Sequence, residues 1–130
     1  MNREIEFRGK HIHILKENEI LNGTWVYGYL CSEDYIFSEE FFGEMLVDKN
    51  TVGQYTGLKD KNGKKIFEGD IVMFDYEWTK PNETGVITWN KNTASFQIKG
   101  HIPSSSMKHL SNMKVIGNIY DNNLERKGDE

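Results

Sequence analysis

Two turn signals in close succession constrain this chain more than any other feature. In QYTGLKDKNGKKIFEGDIV, residues 54 to 72, Asn62-Gly63 and Glu68-Gly69-Asp70 interrupt runs of apolar and β-favouring residues. Asn-Gly supplies the left-handed backbone of a tight hairpin turn, so Val52 to Thr56 reads as a strand that reverses at Asp60 to Gly63 and returns at Lys65-Ile66-Phe67. Gly69 permits a positive φ, and the Asp70 carboxylate accepts from a nearby backbone amide, so the second turn sets the angle into a further strand. In that strand, Ile71 to Tyr76, Val72, Phe74 and Tyr76 share one face while Ile71, Met73 and Asp75 share the other.

The same punctuation runs along the chain. Glu4 to Arg8 and His11 to Ile14 alternate polar and apolar and predict two short strands or one bent one. Asn22-Gly23 precedes Thr24 to Leu30, where Trp25, Tyr27 and Tyr29 fall on one face and Val26, Gly28 and Leu30 on the other; two loaded faces predict a central strand covered on both sides. Ser38 to Leu46 predicts a short helix, with Ser38 as N-cap and Phe41, Phe42, Met45 and Leu46 at helical spacing, against Gly43 in its middle. Later strands are expected at Gly85 to Trp89, Ala94 to Ile98 and Val115 to Tyr120, with a loop at Glu77 to Thr84. A short helix or 3₁₀ turn is expected after Pro103, its stripe made by Met107, Leu110 and Met113.

At 130 residues the chain suits a single domain of two lobes, about residues 1–58 and 59–124, with a loose tail at 125–130. The expected class is mainly β with one or two short helices, the C-terminal half an SH3-like small barrel packed on an N-terminal set of strands. A net charge of −4, with Arg only at positions 3, 8 and 126, argues against strong sequence-independent binding to duplex nucleic acid. The lone Cys31 excludes an internal disulfide and points to a reducing compartment. The charged N-terminus and the lack of a long apolar run predict a cytoplasmic protein with no membrane segment.

Several motifs taken in order resemble the YopX family: Glu4 to Lys10, Gly23 to Leu30, Val52 to Gly63 with Ile66 to Val72, and Val115 to Asn122. The resemblance spans nearly the whole chain and departs from it at Lys16 to Leu21 and around Thr79 to Thr84, both in predicted loops. It implies a small protein of a bacteriophage or prophage, acting in a bacterial host cell. It carries no catalytic residue set to this chain.

The residues offer few chemical constellations. His11 and His13 have a spacing that can ligate a metal, but His101, His109 and Cys31 lie at no diagnostic distance, so neither a metal nor a cofactor is assigned. Cys31 lacks a Cys-His signature and reads as a small buried hydrophobe; Glu68 and Asp70 flank a turn glycine and read as backbone chemistry. With no phosphate loop, nucleophile elbow or His-Glu-x-x-His, the chain is read as non-enzymatic. Lys59, Lys61, Lys64 and Lys65 surround the Asn62-Gly63 turn beside Tyr55, the charge-plus-ring combination of a weak single-stranded nucleic-acid surface, although a solvated hairpin tip explains them more simply. Aromatics are 12% of the chain, and any excess on the Trp25, Tyr27, Tyr29 face or at Phe41-Phe42 would mark an interface. The leading expectation is self-association or binding to a host or phage protein.

Overall fold

A computed structural model describes residues 4–12, 23–76, 81–100, 105–107 and 110–121. These residues are mainly β, in strands β1 (Phe7–Lys10), β2 (Trp25–Ser32), β3 (Tyr35–Ser38), β4 (Gly43–Leu46), β5 (Gly53–Lys59), β6 (Lys65–Phe67), β7 (Asp70–Tyr76), β8 (Glu83–Asn90), β9 (Ser95–Gly100), β10 (Ser105–Ser106) and β11 (Leu110–Asn118). A turn of 3₁₀ helix covers Lys49–Thr51. The strands form two antiparallel sheets, in the orders β4-β3-β2-β1-β5-β6 and β10-β9-β8-β7-β11. The chain divides into two compact units, Met1–Gly57 and Leu58–Glu130. Among the described residues no helix is long and apolar enough to cross a membrane.

In the first unit, alternation along β2 and β3 turns Val26 and Ile36 inward to join Val47, with Phe7, Met45 and Val52 packed around them. Directly beyond β1, His11 continues the pairing with the segment before β2 through Thr24 and Gly23 and forms an isolated bridge with Val47. The Leu46 carbonyl accepts from the Ile12 N–H at 3.0 Å and from His11 Nδ1 at 2.6 Å. A carbonyl can only accept, so Nδ1 carries the proton. β1 lies between β2 and β5 and not at a sheet edge, and His11 is buried. His13 lies outside the described residues.

The expected helix over Ser38 to Leu46 is corrected. The Ser38 hydroxyl does accept from the Phe41 N–H at 3.2 Å, the bond an N-cap makes. Phe42 then donates to the Glu39 carbonyl at 3.3 Å and takes a left-handed φ of 60°, which reverses the chain. Residues 43–46 return as β4 in register with β3, pairing Phe37 with Glu44 and Tyr35 with Leu46.

The second unit is organised around Ile66, Val72, Phe74, Ile87, Ile98, Met107, Leu110 and Val115, with Tyr76, Phe96 and Met113 against them. The turn before β7 forms as its residues require. Gly69 has φ 93° and the Asp70 carboxylate accepts the Phe67 N–H at 2.7 Å. Gly69 also ties this turn to two later segments, donating to the Ile87 carbonyl and accepting from the Ile119 N–H. The stripe of Met107, Leu110 and Met113 is buried or half-buried in the core, but Leu110 and Met113 belong to β11, not to a helix. A register shift between Ser111 and Lys114, with Asn112 at φ 52°, brings residues three apart to the same face. Pro103 and Ser104 of that expected helix lie outside the described residues. The described pairings leave the sheet open, with β10 and β11 as its ends, and no pairing closes it into a barrel.

Candidate functional site

The aromatic residues of β2 and β3 are placed by alternation. With Val26 and Ile36 fully buried, Tyr27, Tyr29, Tyr35 and Phe37 project from the opposite face. Register sets Tyr29 directly against Phe37, and Tyr27 and Tyr35 lie two positions from them on their own strands. The relative exposures are 60% for Tyr29, 40% for Phe37, 39% for Tyr27 and 37% for Tyr35. The expectation that β2 is covered on both faces is therefore corrected: its neighbours flank it, and from Tyr29 onward its side chains are exposed on both faces, Leu30 at 38%.

The turn beyond β3 adds two more rings, Phe41 at 41% and Phe42 at 91% exposure. A bulky side chain at positive φ is a backbone outlier that costs about 1–2 kcal/mol. Here that cost is borne by a phenyl ring standing almost wholly in water. Isolated exposed apolar residues are ordinary on protein surfaces, but a group of aromatics set side by side across two strands is the signature of a contact surface. The margins of the face differ in charge. Glu44 stands opposite Phe37 on the β4 side, whereas on the β1 side half-buried Lys10 and buried Arg8 hold their cations over the Trp25 ring at 5.5 and 4.6 Å.

The lysine tip assembles differently from its sequence reading. Tyr55 is only 4% exposed and its N–H donates to the Glu6 carbonyl, so its ring offers no platform for a base. Lys59, Lys61 and Lys64 are exposed and Lys65 is half-buried. Asp60, in contrast, is 7% exposed and organises the whole turn. One of its carboxylate oxygens, Oδ1, accepts the Asn62 and Lys64 N–H groups at 2.9 Å each, and the other, Oδ2, accepts the Val115 N–H at 3.0 Å. The Asp60 carbonyl accepts from the Gly63 N–H, the Asp60 N–H donates to the Lys64 carbonyl, and the Lys61 N–H donates to the Met113 carbonyl. Of the expected Asn62-Gly63 pair only Gly63 is left-handed, at φ 84°.

Electrostatics further reduce the tip as a phosphate site. Burial acts to raise the Asp60 pKa, but the N–H bonds from Val115, Lys64 and Asn62, with the Lys64 charge, outweigh it and hold the carboxyl below its usual range. Asp75 is likewise lowered, first by the Asn112 amide and the Asn82 N–H, then by the charge of Lys61. Lys61 and Lys64 thus each face a carboxylate. The hub residue was visible in the sequence only as an acid diluting a basic cluster; a short turn closed by a buried Asx carboxylate is the signal that would have found it.

His11 is committed through Nδ1 to the Leu46 carbonyl, and the expectation that Cys31 is buried is corrected: it is exposed near the end of β2, where the strand's side chains are exposed on both faces. His101 and His109 lie outside the described residues. Among the described residues no three His, Cys, Asp or Glu side chains stand together as metal ligands. Glu68 and Asp70 act as the turn reading requires, with Asp70 fully buried beneath its own backbone bond. The family model described as YopX protein matches residues 7–125. No curated protein matches the chain.

Proposed function

The chain belongs to the YopX family, and from that premise we propose that it is a non-enzymatic phage or prophage protein that self-associates through the aromatic face of its first unit, in the cytoplasm of the bacterial host. The observation that carries this reading is the exposed group of Tyr27, Tyr29, Tyr35 and Phe37, with Phe42 strained and exposed in the turn that follows β3. Aromatic side chains give large contact area at low entropic cost and concentrate at interfaces. A second copy is the occupant that the charge pattern favours. In a two-fold contact the same surface meets itself, so an acidic margin at Glu44 and a basic margin at Lys10 can each find its opposite while the rings stack between them. The open five-stranded sheet of the second unit, read as an SH3-like module, would then be displayed twice in the assembly.

Size-exclusion chromatography with light scattering tests this reading. The expected result is a dimer that the combined variant Tyr29→Ser, Phe37→Ser and Phe42→Ser converts to a folded monomer. A wild-type monomer at concentrations near 100 times the micromolar scale typical of weak contacts, about 100 μM, refutes it.

A further inference from the structure

The tip between β5 and β6 carries a chemical step of its own. Of the two Asn-Gly pairs in the sequence, Asn62-Gly63 lies wholly within the described residues, and both of its members are exposed. Glycine has no Cβ, so its amide nitrogen is open to the side chain that precedes it, and closure onto the Asn62 side-chain carbon, Cγ, makes a five-membered ring. As the Gly63 N–Cγ bond forms, the Gly63 N–H proton passes to solvent; the Cγ–Nδ2 bond then breaks and its nitrogen leaves as ammonia, giving a cyclic imide. Water opens the imide at either carbonyl, to aspartate or to isoaspartate, in which the main chain runs through Cβ and Cγ. The sum is amide and water to acid and ammonia, with no change of oxidation state.

Two features of the tip act on this step in opposite directions. Lys61 and Lys64 flank the pair, and positive charge favours the negative charge that develops on the attacking nitrogen and the amide oxygen. Against this, the Asp60 hub holds the reacting nitrogen. The Gly63 N–H that must be given up donates to the Asp60 carbonyl at 2.9 Å, and the Asn62 and Lys64 N–H groups on either side are pinned to Asp60 Oδ1 at 2.9 Å each. The nitrogen is released only when the turn opens locally.

We propose that Asn62 is a site of spontaneous deamidation and that the hydrogen bonds of Asp60 set how fast it reacts. The proposal does not depend on the aromatic face of the first unit. Its consequence reaches β11: isoaspartate inserts a main-chain carbon between the two N–H groups that share Oδ1, which loosens the carboxylate whose other oxygen holds the Val115 N–H. Aspartate adds charge among the lysines but no carbon. Peptide mapping of the whole protein aged in mildly alkaline buffer, native or unfolded in guanidinium chloride, reads conversion at position 62, and hydrogen exchange reads release of the Gly63 N–H. Conversion is expected to be at least about tenfold slower in the native protein, by the same factor that folding slows Gly63 exchange, because both need the same N–H released. Asp60→Ala, under conditions where Trp fluorescence shows it folded, is expected to convert within about threefold of the unfolded rate; if it does not fold, the exchange comparison in the native protein decides alone. Purified isoaspartate protein is expected to unfold at lower urea concentration than Asn62→Asp, and equal midpoints would refute the link to β11. No conversion in the unfolded chain, native conversion at the unfolded rate, slow conversion beside a freely exchanging Gly63, or slow conversion in folded Asp60→Ala overturns the assignment.

Discussion

Replacing Asp60 by Ala removes the acceptor of three backbone N–H groups at once, and the cost can be assembled bond by bond. The Val115 N–H is buried, and leaving a buried donor without its acceptor costs about 1–3 kcal/mol. The Asn62 and Lys64 N–H groups lie in an exposed turn where water replaces the carboxylate, so each loses only the net value of a hydrogen bond, about 0.5–1.5 kcal/mol. The middle of the combined range is about 4 kcal/mol, a large part of the roughly 5–15 kcal/mol that stabilises a domain. Asp60→Asn keeps one oxygen for the turn but turns an N–H₂ donor toward the Val115 donor, so it should recover little of the loss. Acid dependence gives an independent readout. Because the carboxyl is held below its usual value near about 3.9, its stabilisation is complete above that pH and is lost as pH falls through the lowered folded value. Urea denaturation followed by Trp fluorescence, repeated from pH 7 down through the carboxyl range, measures both effects. A loss below about 1 kcal/mol for Asp60→Ala, or an unchanged acid limb, would refute the account of Asp60 as a buried acceptor.

Other expectations follow from single contacts. A Cβ on Gly28 would stand 1.9 Å from the Phe37 carbonyl oxygen, so Gly28→Ala should separate β2 from β3 and lower the melting temperature. Phe42→Asn relieves a left-handed phenylalanine with a residue that tolerates that backbone; it should raise stability by about 1 kcal/mol while weakening self-association, and calorimetry with light scattering separates the two. Gly69→Ala imposes a side chain at φ 93° with its Cβ 3.0 Å from the Tyr120 ring, and should shift the urea midpoint to lower concentration without changing the slope.

The strands were legible wherever turn residues bounded a short alternating run, as for β5 to β8, because both the turn and the alternation are local properties. The helix over Ser38 to Leu46 was misread, and of the turn after Pro103 the described residues keep a 3₁₀ conformation at Met107 only, because helical spacing has strand equivalents. Phe41 to Leu46 spans a turn and the whole of β4, and Leu110 and Met113 share a face only through the irregularity at Asn112. Neither a positive φ at phenylalanine nor a bulge at asparagine is dictated by neighbours in sequence. The aromatic face was legible as alternation at Trp25, Tyr27 and Tyr29, but its openness depends on what packs where. The burial of Tyr55 and Asp60 was beyond local reading for the same reason: one oxygen of Asp60 satisfies an N–H 55 positions away.

That long reach of Asp60 orders events as the chain is made. The tip from Asp60 to Lys64 can close its local bonds as soon as it emerges, yet Oδ2 has no backbone partner until β11 follows. Closing so long a loop is entropically costly and becomes favourable only once the strands between have paired. β11 is an end strand of its sheet, and the same bonds cap it there: Val115 is claimed by the Asp60 carboxylate and Met113 by the Lys61 N–H. β11, the last of the described strands to be synthesised, therefore arrives at a stopper already formed, which takes up edge groups that a neighbouring chain would otherwise pair with.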